Sequence, residues 1–172
     1  MTPPLPSSSG TAPWEPIPAA SPPDPRVAAA LEALWAECDR RLADLGVQCR
    51  ACGQCCDFPR RGHVLFAMKA ELDVCLDWAR QHLATDPRDV RRRLDAGLCP
   101  FQDGPRCRIH PVRPLGCRIF FCKTGDAAQL ERLAADLHDR LRSIVRDNEL
   151  LQWYGPALAY IKAIWPPPTH PI

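Results

Sequence analysis

The chain has 172 residues, 46% of them apolar, and a formal net charge of only +2. That length suits one domain with tails, and so small a charge supplies no strong field to draw the molecule to nucleic acid or to a membrane surface. Ten cysteines stand far above ordinary usage. The opening Met-Thr-Pro-Pro-Leu-Pro-Ser-Ser-Ser-Gly lacks a basic segment followed by an apolar one, so no signal peptide is expected. A reducing, cytoplasmic setting follows, where crowded thiols bind metal or do redox chemistry. No stretch approaches the roughly 18 consecutive apolar residues of a membrane span. The bias toward Ala, Arg and Pro points to a bacterial source.

Residues 1–24 are rich in Pro and Ser and lack periodicity, which predicts a disordered tail. Within it, Trp14 and Ile17 are the candidates to dock on the domain or on a partner. Asp24-Pro25 then reads as a helix start, with the acid as N-cap and the proline at the first helical position. Val27, Leu31, Leu34, Trp35, Cys38, Leu42 and Leu45 recur at three- and four-residue steps, so this helix runs to Gly46 with one apolar stripe. Cys38 lies on the stripe and reads as a buried small hydrophobe.

The stretch Cys49-Arg-Ala-Cys52-Gly-Gln-Cys55-Cys56 follows, four thiols in eight residues. Two residues between thiols let both reach one soft cation, and Gly53 lets the backbone curl beneath it. Asp57 reads as a loop cap, with an oxygen-ligand role as the alternative. After the apolar stretch His63–Phe66, the residues Met68, Leu72, Cys75, Leu76, Ala79 and Leu83 define a second helix. Cys75 takes the same packing role as Cys38. Asp86-Pro87 opens a third helix, ended by Gly97. Arg91, Arg92 and Arg93 fan around it and read as a solvated face.

The second cysteine block is Cys99-Pro-Phe-Gln-Asp-Gly-Pro-Arg-Cys107-Arg-Ile-His110-Pro-Val-Arg113-Pro114-Leu-Gly-Cys117-Arg118-Ile-Phe-Phe-Cys122. Its Pro and Gly content predicts turns, one of them at Asp103-Gly104. A long amphipathic helix starts near Asp126, with Leu130, Leu133, Leu137, Leu141, Ile144 and Val145 on its apolar face, and needs the first helix as partner. Trp153-Tyr154-Gly155-Pro156 breaks the pattern. A last helix spans about Ala157–Ile164 and stops at Pro166-Pro167-Pro168. The predicted fold is mainly α: a small helical bundle over residues 25–165, with two cysteine-rich loops joined at a metal or iron–sulfur site and a Pro-rich tail at 166–172.

With Cys38 and Cys75 assigned to packing, Cys49, Cys52, Cys55, Cys56, Cys99, Cys107, Cys117 and Cys122 remain as candidate ligands. Two tetrahedral zinc sites would use all eight; one four-iron cluster would use four and leave four for a second metal or redox work. Thiolates suit both metals, so zinc and iron stay open. Arg50, Arg106, Arg108, Arg113 and Arg118 flank the cysteines and can donate N–H bonds to sulfur. Arg113 and Arg118 are the candidate cofactor-binding arginines, although Arg113-Pro114 also reads as a turn-fixing pair. His110 stands three residues after Cys107; a supporting or surface role is expected, with ligation as the alternative.

These two blocks, C-x-x-C-x-x-C-C followed by G-x-C-P-F and C-x-I-x-x-x-R-P-x-x-C-R, resemble the cysteine-cluster proteins of the YkgJ family. The resemblance covers roughly Cys49 to Cys122 and implies a zinc- or iron-chelating domain. Seven of the thiols match the family pattern; Cys122 lies beyond it. One relative, the flagellin lysine N-methylase, carries the same motif within a longer protein. The expected function is therefore a metal-binding protein whose cluster holds the fold. The alternatives are an iron–sulfur-dependent enzyme resembling that methylase, or a thiol redox switch or metal chaperone. The expected partner is a metal ion, with neither nucleic acid nor membrane.

Overall fold

The computed structural model describes residues 16–47, 49, 52–119 and 126–165. Trp14 of the predicted tail, the flanking Arg50, the outlying Cys122 and the stop at 166–168 lie outside them. The described residues are mainly helical. Helix α1 (Pro25–Asp44) starts where an Asp24 carboxylate oxygen accepts from the backbone N–H of Arg26 at 2.8 Å. Asp86 does the same for α4 (Pro87–Asp95) at 2.9 Å, and Asp126 caps α6 (Ala127–Asp147). The carboxylate satisfies an N–H that no helical carbonyl can reach. Between them lie the single-turn α2 (Phe58–Arg61), strand β1 (Phe66–Met68), α3 (Lys69–His82), hairpin β2–β3 (Gln102–Asp103 and Arg106–Cys107) and short α5 (Leu115–Ile119). Strand β4 (Tyr154–Pro156) pairs antiparallel with β1 and leads directly into α7 (Ala157–Ile164).

The apolar stripes meet as their spacing requires. Helix α1 packs along α6, and α3 packs on α7. Leu31, Trp35 and Cys38 of α1 and Leu137, Leu141 and Val145 of α6 are almost wholly buried. Ion pairs Arg41–Asp136 and Arg140–Glu37 run along the rim of that contact; exposed pairs of this kind contribute little to stability. Among the described residues no helix is long and apolar enough to cross a membrane.

Helix α3 departs from a plain amphipathic reading. Lys69, Glu71 and Asp73 are buried along with its apolar face. Lys69 and Asp73 pair with each other, and Asp73 also accepts from Tyr160 Oη at 2.5 Å and from Ser21 Oγ at 3.1 Å. Ser21, within the predicted tail, thereby touches the domain.

Glu71 accepts from the backbone N–H of Leu115 at 2.6 Å, the backbone N–H of Met68 at 3.2 Å and the Trp35 indole at 3.3 Å. One carboxylate thus ties α1, the start of α3 and the start of α5. Burial pushes its pKa up, against the pull of these donors.

Glu71→Ala leaves three buried donors without their acceptor. At about 1–3 kcal/mol for each stranded group, the variant should lose at least about 3 kcal/mol in urea denaturation. An unchanged midpoint would show that these bonds do not hold α5 in place.

Candidate metal centre

The first cysteine block follows α1, which ends at Asp44, and turns sharply at Gly53. Gly53 has φ +70°, and a 3-10 turn at Gln54–Cys56 follows. Asp57 then caps α2 by accepting from the Arg60 N–H at 3.4 Å, the capping role expected of it. The second block begins after α4 at Cys99, forms the β2–β3 hairpin with its tip at Gly104, and passes a 3-10 turn at His110–Val112. Cys117 lies on α5.

The two blocks meet. Gly53 lies against the hairpin tip, and its carbonyl accepts from Gln102 Nε2 at 3.1 Å. Cys55 and Cys56 sulfurs are 3.9 Å apart. The Cys55 contact lowers the Cys56 pKa, but a hydrogen bond with Cys99, burial and the nearby Cys107 outweigh it and push that thiol up to about 12. Cys55 is raised by its bond with Cys56 and by burial. Burial raises Cys107 too, reinforced by Cys55 and Cys49. Cys117 is raised first by burial and then by Cys107, Cys56 and Cys55. Six thiols, Cys49, Cys55, Cys56, Cys99, Cys107 and Cys117, therefore share one electrostatic neighbourhood drawn from both blocks. Cys49 and Cys52 are exposed, whereas Cys56 is buried. Among the described residues no three His, Cys, Asp or Glu side chains are already closed around a metal position.

Two arginines separate into different roles. Arg118 is bonded through every nitrogen: Nε donates to the Arg113 carbonyl at 3.0 Å, Nη2 to the Pro111 carbonyl at 2.6 Å and Nη1 to Asp39 at 2.5 Å. It also lies over the Trp35 ring, 5.3 Å from its centroid. Arg113 instead donates from Nη1 to Cys49 Sγ at 3.5 Å. His110 is exposed on its turn; burial lowers its pKa, as do Arg113 and Arg118.

Three features escape a local reading of the sequence. Asp39, on the polar side of α1, faces both arginines. Arg93 donates to the Cys99 carbonyl at 3.0 Å, so one member of the arginine triplet fastens the second block instead of facing solvent. Cys75 is buried, as expected, and donates to the Val112 carbonyl. It also lines a small apolar cavity of about 30 Å³ together with Cys99 and Cys117. Cys38 packs away from that cavity, and burial raises its pKa to about 12, with Asp39 adding to the shift.

A family model matches residues 48–136, just over half of the chain, and carries the description "CxxCxxCC: Putative zinc- or iron-chelating domain". The chain belongs to this family. Searches of curated proteins and of solved structures each gave no match.

A methyl group on Gly53 would come within 2.7 Å of Gln102 Nε2 and 3.1 Å of the Pro105 Cα, whereas one on Gly62, at a similar φ of +63°, meets nothing within 4 Å. Gly62→Ala should cost about 1 kcal/mol of left-handed strain alone. Gly53→Ala adds overpacking of a further ~1–3 kcal/mol and should separate the blocks. Equal losses in thermal unfolding of the two variants would contradict the close joint at Gly53.

Proposed function

We propose that this is a cytoplasmic metal-binding protein whose two cysteine blocks hold zinc or iron, the latter as an ion or an iron–sulfur cluster. The observation that carries the reading is the convergence of six thiols from separate parts of the chain beside a buried arginine. Soft sulfur donors in that number suit zinc and iron–sulfur chemistry. The ligand set is Cys49, Cys52, Cys55, Cys56, Cys99, Cys107 and Cys117, with Cys122 as an eighth thiol proposed on sequence grounds. Bound zinc supplies a cross-link between the blocks; an iron–sulfur cluster adds one-electron chemistry.

The chain's own residues prepare the site. Burial and neighbouring sulfurs raise the pKa values of Cys56 and Cys117, so metal uptake at these thiols releases protons. The 3-10 turn holds the Cys55 and Cys56 sulfurs 3.9 Å apart, and the second block brings Cys99 into hydrogen-bond reach of Cys56. Metal binding also orders the structure. The described residues within 47–62 and 97–119 form only short elements, while a structural zinc contributes about 10–16 kcal/mol of apparent binding energy. That is comparable with the ~5–15 kcal/mol stability of a whole domain.

The exposure of Cys49 and Cys52 supports a second reading, in which the rim of the site exchanges metal or oxidises. Mild peroxide followed by thiol counting separates the two. Full metal retention with unchanged thiols supports a closed structural site; loss of both supports a switch or metal chaperone.

Protein purified without oxygen should contain zinc or iron in at least equimolar amount. Cys52→Ser and Cys55→Ser should lose that metal and the circular dichroism of the cysteine end, because a hydroxyl is a poor ligand at a soft site. Cys38→Ala should keep its metal and lose only packing. A stably folded wild-type protein that neither contains nor takes up metal would overturn the proposal, as would equal metal loss in Cys38→Ala and Cys52→Ser.

A further inference from the structure

We propose that Arg113 is the built-in counter-charge of the thiolate centre and that Asp39 positions it there. The inference rests on the reading of the cysteines as metal ligands and adds two residues that act on the metal without touching it.

Arg113 is 7% exposed, at the inner side of the second block. A guanidinium has five N–H donors, and burying them without acceptors is unfavourable. Nη1 reaches Cys49 Sγ at 3.5 Å, and Nη2 lies 4.0 Å from Asp39 Oδ1. Nε is buried without a hydrogen-bond partner among the described residues. Cys49, Cys117, Cys107 and Cys55 all lie close enough to feel its charge. Arg118 is the internal contrast. Its nitrogens are taken up by two carbonyls and Asp39, so it carries the loop, and among the described residues none of its hydrogen bonds goes to sulfur.

The unmatched donor makes sense once thiols become thiolates. A dication with four thiolates carries a net charge of about −2. A guanidinium beside it offsets part of that charge, and thiolate sulfur is a stronger acceptor for N–H than a neutral thiol. Metal loading thus supplies the acceptor that the buried Nε lacks. Asp39, one helix away, presents oxygens to both arginines and sets the plane of the Arg113 fork.

Cobalt(II) is a suitable probe, because sulfur-to-cobalt charge-transfer absorption reports electron density on the ligating sulfurs. The full chain would be titrated against a competing chelator as wild type, Arg113→Lys, Arg113→Met, Asp39→Asn and the Asp39→Asn/Arg113→Met double variant, with helicity followed in parallel. Removing a partner of a metal ligand typically costs 10–100-fold in affinity. Arg113→Met should therefore bind cobalt at least about tenfold more weakly and shift the charge-transfer band to lower energy. Arg113→Lys should recover part of the affinity but not the band position, since an ammonium keeps the charge and loses the planar fork. Asp39→Asn should shift the band in the same direction as Arg113→Met and add no further shift in the double variant. If Arg113→Met does not fold, Arg113→Lys and Asp39→Asn decide the matter through the band.

Unchanged affinity and band in the folded Arg113 variants, with normal sulfur–cobalt absorption in wild type, would overturn this inference and leave the metal reading intact. A band shift in Asp39→Asn that persists in the absence of Arg113 would overturn the positioning role of Asp39. A wild-type protein with no sulfur–cobalt band at all would instead remove the metal reading and this inference with it.

Discussion

Two buried charges carry the second cysteine block, and the candidate site depends on them. Arg118 gathers the carbonyls of Pro111 and Arg113 and anchors them to Asp39 of α1. Glu71 of α3 receives the first N–H of α5. Without these bonds a loop with so little regular structure has no reason to present Cys107, Arg113 and Cys117 on one side. Charges this deeply placed are tolerated because each is bonded several times; a single unpaired one would cost several kcal/mol, on the order of 3–5. The helical bundle supplies the frame, and the polar clamps convert it into a sulfur site.

The site itself is built from conflicting preferences. Burial and neighbouring sulfurs disfavour thiolate formation at Cys56, Cys107 and Cys117, while Arg113 favours it at Cys107 and Cys117. A soft cation resolves the conflict, because it replaces protons with its own charge. Cys38 and Cys75 are buried, whereas Cys49 and Cys52 are exposed and Cys55, Cys99, Cys107 and Cys117 are half-buried. Cys38 lies in the α1 stripe, and Cys75 bonds a backbone carbonyl. The chain's membership of a zinc- or iron-chelating family rests on residues 48–136, which hold both cysteine blocks.

Much of this was legible in the residues alone. Asp-Pro pairs at 24–25 and 86–87 mark helix starts through elementary capping chemistry, and the leucine spacing of α6 identifies its buried face. The doubled cysteine pattern forecast that two distant blocks would meet, because a lone block supplies too few thiols for an eight-thiol set. Other features were not legible, for one physical reason: they depend on partners far along the chain. Glu71 and Asp73 look like solvent-facing residues of an amphipathic helix, yet Leu115, Trp35 and Tyr160 draw them inward. Asp39 and Arg93 sit among several similar side chains, and nothing local singles them out. The short helix α5 starts directly after Pro114 and contains Gly116, residues that ordinarily argue against helix.

The central claim is that both cysteine blocks close on the same metal centre. Thiol alkylation of metal-depleted protein, read residue by residue by mass spectrometry as zinc or iron(II) is added back, tests it directly. The account predicts that Cys49, Cys52, Cys55 and Cys56 become protected together with Cys99, Cys107 and Cys117, at one metal concentration. Protection of one block while the other stays reactive, or protection of neither, would contradict it.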